Sequence, residues 1–176
     1  MNYFEFYGMK PTIQLDDQEL KKKFILLSRN FHPDKFANEG ETERQVALEK
    51  AVINTNAYST LKDFDSRLKY ILEIFDSKNE SEKQVIDQNF LMEMMDFHDL
   101  IEELKNSPYK EEIINAQLHL DAKENQLKAE AQFSFKEFDL GNQSNSVISQ
   151  LKEYYQKHNY IMRLRDTLNK IELKPE

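Results

Sequence analysis

Residues 31–36 read Phe31-His32-Pro33-Asp34-Lys35-Phe36, a short polar stretch between two strongly amphipathic helical patterns. Proline fixes its own φ and has no amide to donate, so Pro33 ends the helix before it. It also drives His32 out of the helical region. The stretch is therefore expected to present His32 and Asp34 at the tip of a helical hairpin. At average residue usage, a His-Pro-Asp tripeptide arises by chance in a chain this long about once in a hundred. Its helical surroundings carry the rest of the reading.

On the N-terminal side, Asp16 and Asp17 stand where an N-cap belongs. Carboxylates there favour the positive end of a helix. The helix expected near 17–31 puts Leu20, Phe24, Leu27 and Phe31 on one stripe and Lys21, Lys22 and Arg29 on the other face. A short aromatic helix at 2–9, with Tyr3, Phe4 and Tyr7, precedes it and ends at Gly8 and Pro11. On the C-terminal side a long helix is expected from Glu41 or Thr42 to about Leu61. Its inner face holds Ala47, Ala51, Asn54, Tyr58 and Leu61, small enough in places for close helix packing. A shorter helix near 64–75 places Leu68, Ile71, Leu72 and Phe75 inward. Residues 1–75 thus read as one helical unit around a long antiparallel pair.

Residues 76–82 are wholly polar, which marks them as a linker. Three long helices are expected beyond it, near 83–105, from about Pro108 to Phe138, and near 146–171, with a break over 139–145. Proline suits a first helical turn, and short connections between long helices imply an antiparallel three-helix bundle over 83–172. The fold class is all-α.

Composition agrees. The 176 residues are 32% charged and include only three Gly and four Pro, so turns are few and helices long. With no cysteine, disulfides, cysteine-ligated zinc and thiol catalysis are excluded. No apolar run approaches the ~18 residues of a membrane span. Met1-Asn2-Tyr3-Phe4-Glu5 lacks the basic lead and apolar core of a secretory signal, so a cytoplasmic protein is expected. The net charge of −8 is uneven: residues 1–75 hold 11 Lys+Arg against 12 Asp+Glu, and the remainder 13 against 20. A C-terminal half at −7 repels phosphate backbones, so no nucleic-acid partner is expected.

Two surfaces stand out. One is the His32-Pro33-Asp34 tip with its neighbouring cations. The other lies on the helix expected near 83–105. There Phe90, Met94, Phe97, Ile101 and Leu104 make one narrow core stripe. Leu91, Met92 and Met95 fall outside it, beside Asp96, Asp99 and Glu103. An apolar patch flanked by carboxylates suggests a protein-binding surface, and Met suits adaptable contact. The plainer alternatives are that His32 and Asp34 only cap helix ends, and that a wider core stripe absorbs Leu91 and Met95. An acid–base role for His32 and Asp34 is disfavoured, because a convex exposed tip offers no water-excluding pocket. His98, His119 and His158 are scattered singly and support neither a metal site nor a triad.

Residues 1–75 resemble a J-domain: aromatic short helix, basic second helix, His-Pro-Asp loop, third helix, and a fourth with Arg67 near its start. Over its whole length the chain resembles the HscB family of J-domain co-chaperones of iron–sulfur cluster assembly. The closer match rests on His32-Pro33-Asp34-Lys35-Phe36, on Asn89-Phe90-Leu91-Met92-Glu93, and on an architecture without a Gly/Phe-rich linker or zinc-binding region. Ile25 and Leu26 depart from general J-domains, which usually carry basic residues there, and this fits a dedicated partner. The resemblance implies that His32, Pro33, Asp34, Lys35, Lys21, Lys22 and Arg29 engage a heat-shock protein 70 class chaperone (HscA or DnaK) and stimulate its ATPase. It implies that Leu91, Met92, Met95, Asp96, Asp99, Glu103 and Tyr160 bind an IscU-type iron–sulfur scaffold. Asp96 and Asp99 stand where relatives often carry Glu. No cofactor or metal of its own, no enzymatic activity and a monomeric state are expected. A J-protein with a different client is the alternative.

Overall fold

The computed structural model describes residues 1–76 and 86–171; of the expected 76–82 linker, residues 77–82 lie outside the described residues, as do 83–85 and 172 of the expected bundle. The described chain is all-α, with seven α-helices and one 3-10 turn and no strand among the described residues. It divides into two compact units, Met1–Ser77 with Phe138–Gly141, and Lys78–Glu137 with Asn142–Glu176.

In the first unit, α1 (Tyr3–Phe6) is a single turn closed by a capping box between Asn2 and Glu5. It is shorter than the expected 2–9, because the backbone leaves the helical region by Gly8, whose φ of 61° suits glycine. α2 (Asp17–Asn30) starts at an N-cap in which Asp16 accepts the amides of Gln18 and Glu19. α3 (Glu41–Lys62) runs back along it, and α4 (Phe64–Asp76) follows. Leu20, Ala47, Ala57, Leu61, Leu68, Ile71 and Leu72 are buried, with Phe4, Tyr7 and Ile13 completing the core. Phe24 of α2 stacks on Tyr58 of α3 with centroids 4.3 Å apart.

Two buried polar residues tie these helices together. Asn54 Nδ2 donates to the Phe24 carbonyl at 3.1 Å and to Ser28 Oγ at 2.9 Å. Its Oδ1 accepts from the Tyr7 hydroxyl at 2.9 Å. Arg67 Nε donates to the Ile13 carbonyl at 3.0 Å, and its Nη1 to the Leu61 carbonyl. Burial lowers the Arg67 pKa, opposed by the nearby charges of Asp17, Asp63 and Asp139. The carboxylate of Asp139 accepts the amides of Ile13 at 2.6 Å and Gln14 at 2.9 Å.

The second unit holds α5 (Gln88–Asn106), α6 (Lys110–Asp139, up to Glu137) and α7 (Asn145–Asn169). α5 begins at Gln88, later than the expected 83. Asp87 is its N-cap, accepting the Phe90 amide at 3.1 Å, and residues 86–87 are not helical. α6 begins at Lys110, two residues past Pro108, with the Tyr109 carbonyl accepting the first amide from Ile113. Between α6 and α7, Gly141 at φ 99° makes the turn. The expected stripe of Phe90, Met94, Phe97, Ile101 and Leu104 is buried throughout. It packs with Ala116, Leu120 and Leu127 of α6 and Leu151, Tyr154, Ile161, Leu164 and Leu168 of α7 in the bundle core.

Candidate functional site

The tip of the α2–α3 hairpin is not an open loop. Pro33–Phe36 forms one 3-10 turn, and His32 is its N-cap. His32 Nδ1 accepts the Asp34 amide at 3.3 Å when that nitrogen is unprotonated. The same atom lies 3.4 Å from Asp34 Oδ2, an ion pair available to the protonated ring. The His32 carbonyl accepts the Lys35 amide at 3.0 Å. So the histidine does cap, as the plainer reading holds, but it caps the turn that carries Asp34 and leaves both side chains exposed. Proline at the first position of the turn needs no partner for a missing amide. The result is a small, internally braced protrusion with a carboxylate at its outer edge.

Lys21, Lys22, Arg29 and Lys35 are all exposed. Lys23, in the same basic run, is different. Its ammonium donates to the Tyr7 carbonyl at 2.9 Å and sits 3.7 Å from Glu19, a bracing role inside the unit. Ile25 and Leu26, in place of basic residues, are exposed apolar positions.

On α5, the side opposite the core stripe carries Met92, Asp96, Asp99 and Glu103, with Met95 beside them. Met92 is 59% and Met95 62% exposed; Asp96 and Asp99 are exposed and Glu103 lies on the same outward side. Leu91 is half-buried at the edge of this face. A wider core stripe therefore takes in part of Leu91 but neither methionine. Tyr160 of α7 is half-buried and meets the ring of Phe90 edge-on at 6.2 Å. Phe90 is thus shared between the core and the approach to Leu91. Lys123 of α6 and Lys157 of α7 stand over the same ring at 5.9 Å and 5.5 Å. Nothing in the local pattern of α5 announces these two cations, because both arrive from other helices.

The acids of α5 differ in their partners. Glu102 pairs with Lys105, and that hydrogen bond pulls its pKa below the usual carboxylate range. His98 lies 3.8 Å from both Asp99 and Glu102. His119 lies 3.8 Å from Glu93, and the buried His158 3.4 Å from Glu124. Each histidine is paired on a helix surface or within the bundle. Among the described residues no group of three or more His, Cys, Asp or Glu side chains could hold a metal ion. Nor, among them, is any helix long and apolar enough to cross a membrane.

A helical hairpin with an exposed His-Pro-Asp turn, and in the same chain a three-helix bundle, is the arrangement that the resemblance to J-domain co-chaperones implies. Comparison with known proteins narrows this. Residues 86–169 match the family described as the HSCB C-terminal oligomerisation domain. A co-chaperone protein HscB homolog from Shewanella loihica is 31% identical over 174 residues, spanning 98% of each chain. Chaperone HscB from Vibrio cholerae superposes with a TM-score of 0.63 at 27% identity, covering 97% of both chains. Human co-chaperone HscB gives a TM-score of 0.73 over 96% of this chain and 81% of that one, at 20% identity, a likeness of fold. The chain belongs to the HscB co-chaperone family.

Proposed function

We propose that the chain activates the ATPase of a heat-shock protein 70 class chaperone, HscA or DnaK, and delivers an IscU-type iron–sulfur scaffold to it. The observation that carries this reading is the exposed, self-braced His32-Pro33-Asp34 turn at the hairpin tip. A protruding turn can enter a crevice of a partner. There Asp34 accepts a charge-assisted hydrogen bond from a partner arginine. Lys21, Lys22, Arg29 and Lys35 steer the approach toward an acidic patch, acting on the association rate more than on affinity. The chain itself makes and breaks no bond; it biases the partner's conformational equilibrium.

The bundle takes the scaffold on the outward face of α5. Met92 and Met95 offer adaptable apolar contact, Leu91 and Tyr160 border it, and Asp96, Asp99 and Glu103 rim it with negative charge. Holding scaffold and chaperone on one chain raises their effective concentration for each other. No resident cofactor takes part, and a cytoplasmic setting goes with this reading.

The test uses the purified full chain with a cognate chaperone and scaffold. His32→Gln is expected to reduce ATPase stimulation at least tenfold, with helical content and scaffold binding unchanged. Leu91→Ala with Met92→Ala is expected to weaken scaffold binding in titration calorimetry while ATPase stimulation by the chain alone persists. If the scaffold does not bind the unmodified chain while stimulation is intact, the client is another protein. If His32→Gln stimulates normally, the chaperone assignment fails.

A further inference from the structure

The helical hairpin of the first unit carries an apolar flank along one edge. Phe24 of α2 and Tyr58 of α3 stack there, and with Thr55, Ser59, Lys62 and Asp63 they line an open cleft. Thr55 and Ser59 belong to a row of α3, Leu48, Val52, Thr55 and Ser59, at spacings of four, three and four. That spacing keeps all four on one side of the helix. None is charged and all are exposed. On α2, Lys21, Phe24, Ile25 and Ser28 stand at i, i+3, i+4 and i+7, again one face. Phe24 and Ser28 fix that face against α3, through the stacked ring and the hydrogen bond from Asn54, so Ile25 borders the same edge. Leu48 and Val52 are each 52% and Ile25 39% exposed. Single exposed apolar residues are ordinary, but three along one flank, beside a cleft lined by stacked rings, form a patch. A solvated helix row ordinarily carries charge, and this one carries none in a chain that is 32% charged.

Position and charge select the occupant. Leu48 lies two turns into α3, which starts just beyond the hairpin tip, and the row of α2 runs from Lys21 through Ser28 toward His32. The flank is therefore continuous with the His32-Pro33-Asp34 turn, and a body seated over the turn lies along it. Cations edge it: Lys21 and Arg29 are exposed on α2, and Lys62 stands over the Tyr58 ring at 5.9 Å at the far end. From Leu48 to Ser59 the row spans about 17 Å at 1.5 Å per residue. The surface that fits is a protein face with an apolar centre and carboxylates around it.

We infer that Ile25, Leu48 and Val52 form a second contact for the chaperone that takes the hairpin tip, and that this contact selects a partner with an apolar docking patch bordered by carboxylates. The inference rests on the chaperone reading proposed above and divides the interface into parts. The turn acts on the partner's ATPase, the cations set the rate of approach, and the apolar flank holds the complex. A chaperone with carboxylates throughout the matching surface would leave these three side chains facing charge, which discriminates against it. Apolar contact is not screened by salt, so the flank's share of affinity outlasts that of the cations.

ATPase titrations test this, with the purified full chain and the heat-shock protein 70 class chaperone of the same source. Two readouts separate the roles: the maximal stimulation, and the chain concentration that gives half of it. Leu48→Ala with Val52→Ala should raise the half-maximal concentration about fivefold or more and leave the maximum unchanged. His32→Gln should lower the maximum. The effect of the alanine pair should persist at about 0.5 M salt, where exposed charges are largely screened. Ile25→Lys with Val52→Lys gives the opposing control, because it adds cations to a face that already steers by charge. If charge were all that mattered, this pair would match or outperform the unmodified chain; the expected result at about 0.5 M salt is a half-maximal concentration raised about fivefold or more. All three sites are exposed, so unchanged helical content and urea midpoint serve as the fold control, with Ile25→Ser as a milder variant. An unmodified chain without stimulation, or normal stimulation by His32→Gln, would overturn the chaperone reading and this inference with it. A lowered maximum for His32→Gln alongside half-maximal concentrations unmoved by the flank variants would overturn the inference alone. So would a flank effect that vanishes at high salt, or flank variants that lose scaffold binding and keep the chaperone.

Discussion

Asn54 connects three segments of the first unit through one side chain, giving hydrogen bonds to Phe24 and Ser28 on α2 and receiving one from Tyr7 beyond α1. Burial, with a smaller contribution from Tyr58, raises the Tyr7 pKa above its ordinary value, so the hydroxyl stays protonated and keeps donating. Replacing Asn54 by Ala would remove the side-chain acceptor of that hydroxyl, which keeps the Asn54 carbonyl at 2.9 Å, and would remove the amide that donates to Phe24 and Ser28. The expected cost is roughly 1–2 kcal/mol, read as a lower urea midpoint with an unchanged slope. A loss under about 0.5 kcal/mol, the low end for a single hydrogen bond, would mean that the hub is readily re-satisfied. Asn54 was legible in the sequence as an inward residue of α3, but its role was not. Periodicity tells which face a residue occupies and cannot tell which distant carbonyl it meets.

Among the elements, α5 was the most legible. Its five core positions are set by a local repeat that survives packing, since both flanking helices need the same stripe. Its start was misread, because Lys83-Gln84-Val85-Ile86 is as helical in composition as the residues after Asp87. The cap decides the start, through one carboxylate on the Phe90 amide. Asp87→Ala should cost about 1 kcal/mol and fray the first turn, which carries Leu91 and Met92. Faster amide exchange at Phe90 and Leu91 would report the fraying, together with a several-fold weaker scaffold affinity under the proposed function. If exchange is unchanged, the first turn is held by Phe90 packing against Tyr160 instead. The 3-10 turn at Pro33–Phe36 escaped the reading for a similar reason. The proline announces a break, while the histidine cap that shapes the break depends on a χ angle.

For the whole molecule, pH stability follows from the second unit. Glu124 is partly buried, which opposes its charge, but the hydrogen bond and charge of Arg165, helped by His158, outweigh burial and lower its pKa. A lowered folded-state pKa contributes stability that is fully present above the unfolded value of about 4.3. That contribution is lost as pH falls through the lower folded value. Arg165→Met should therefore flatten the decline in urea-derived stability between about pH 5 and pH 3 relative to the unmodified chain. Equal declines would assign the acid sensitivity to other carboxylates. Electrostatics also act at longer range. If the cations of α2 steer the chaperone encounter, raising salt from about 0.05 to 0.5 M should slow association by about tenfold or more. Dissociation should change little in stopped-flow measurements.

What the chain order of residues determined alone is local. The helical periods, the proline at the hairpin tip, the narrow core stripe of α5 and the charge asymmetry all follow from neighbours within a few turns, and the resemblance to HscB proteins rests on such runs. Tertiary structure decided the rest. It set which polar groups find partners across tens of residues, as Arg67 does with Ile13 and Asp139 with Ile13 and Gln14. It left Met92 and Met95 open while half-burying Leu91, and it gave α6 one covered face and one bare one. Helical period is written into backbone geometry, whereas burial and pairing depend on where other helices come to lie.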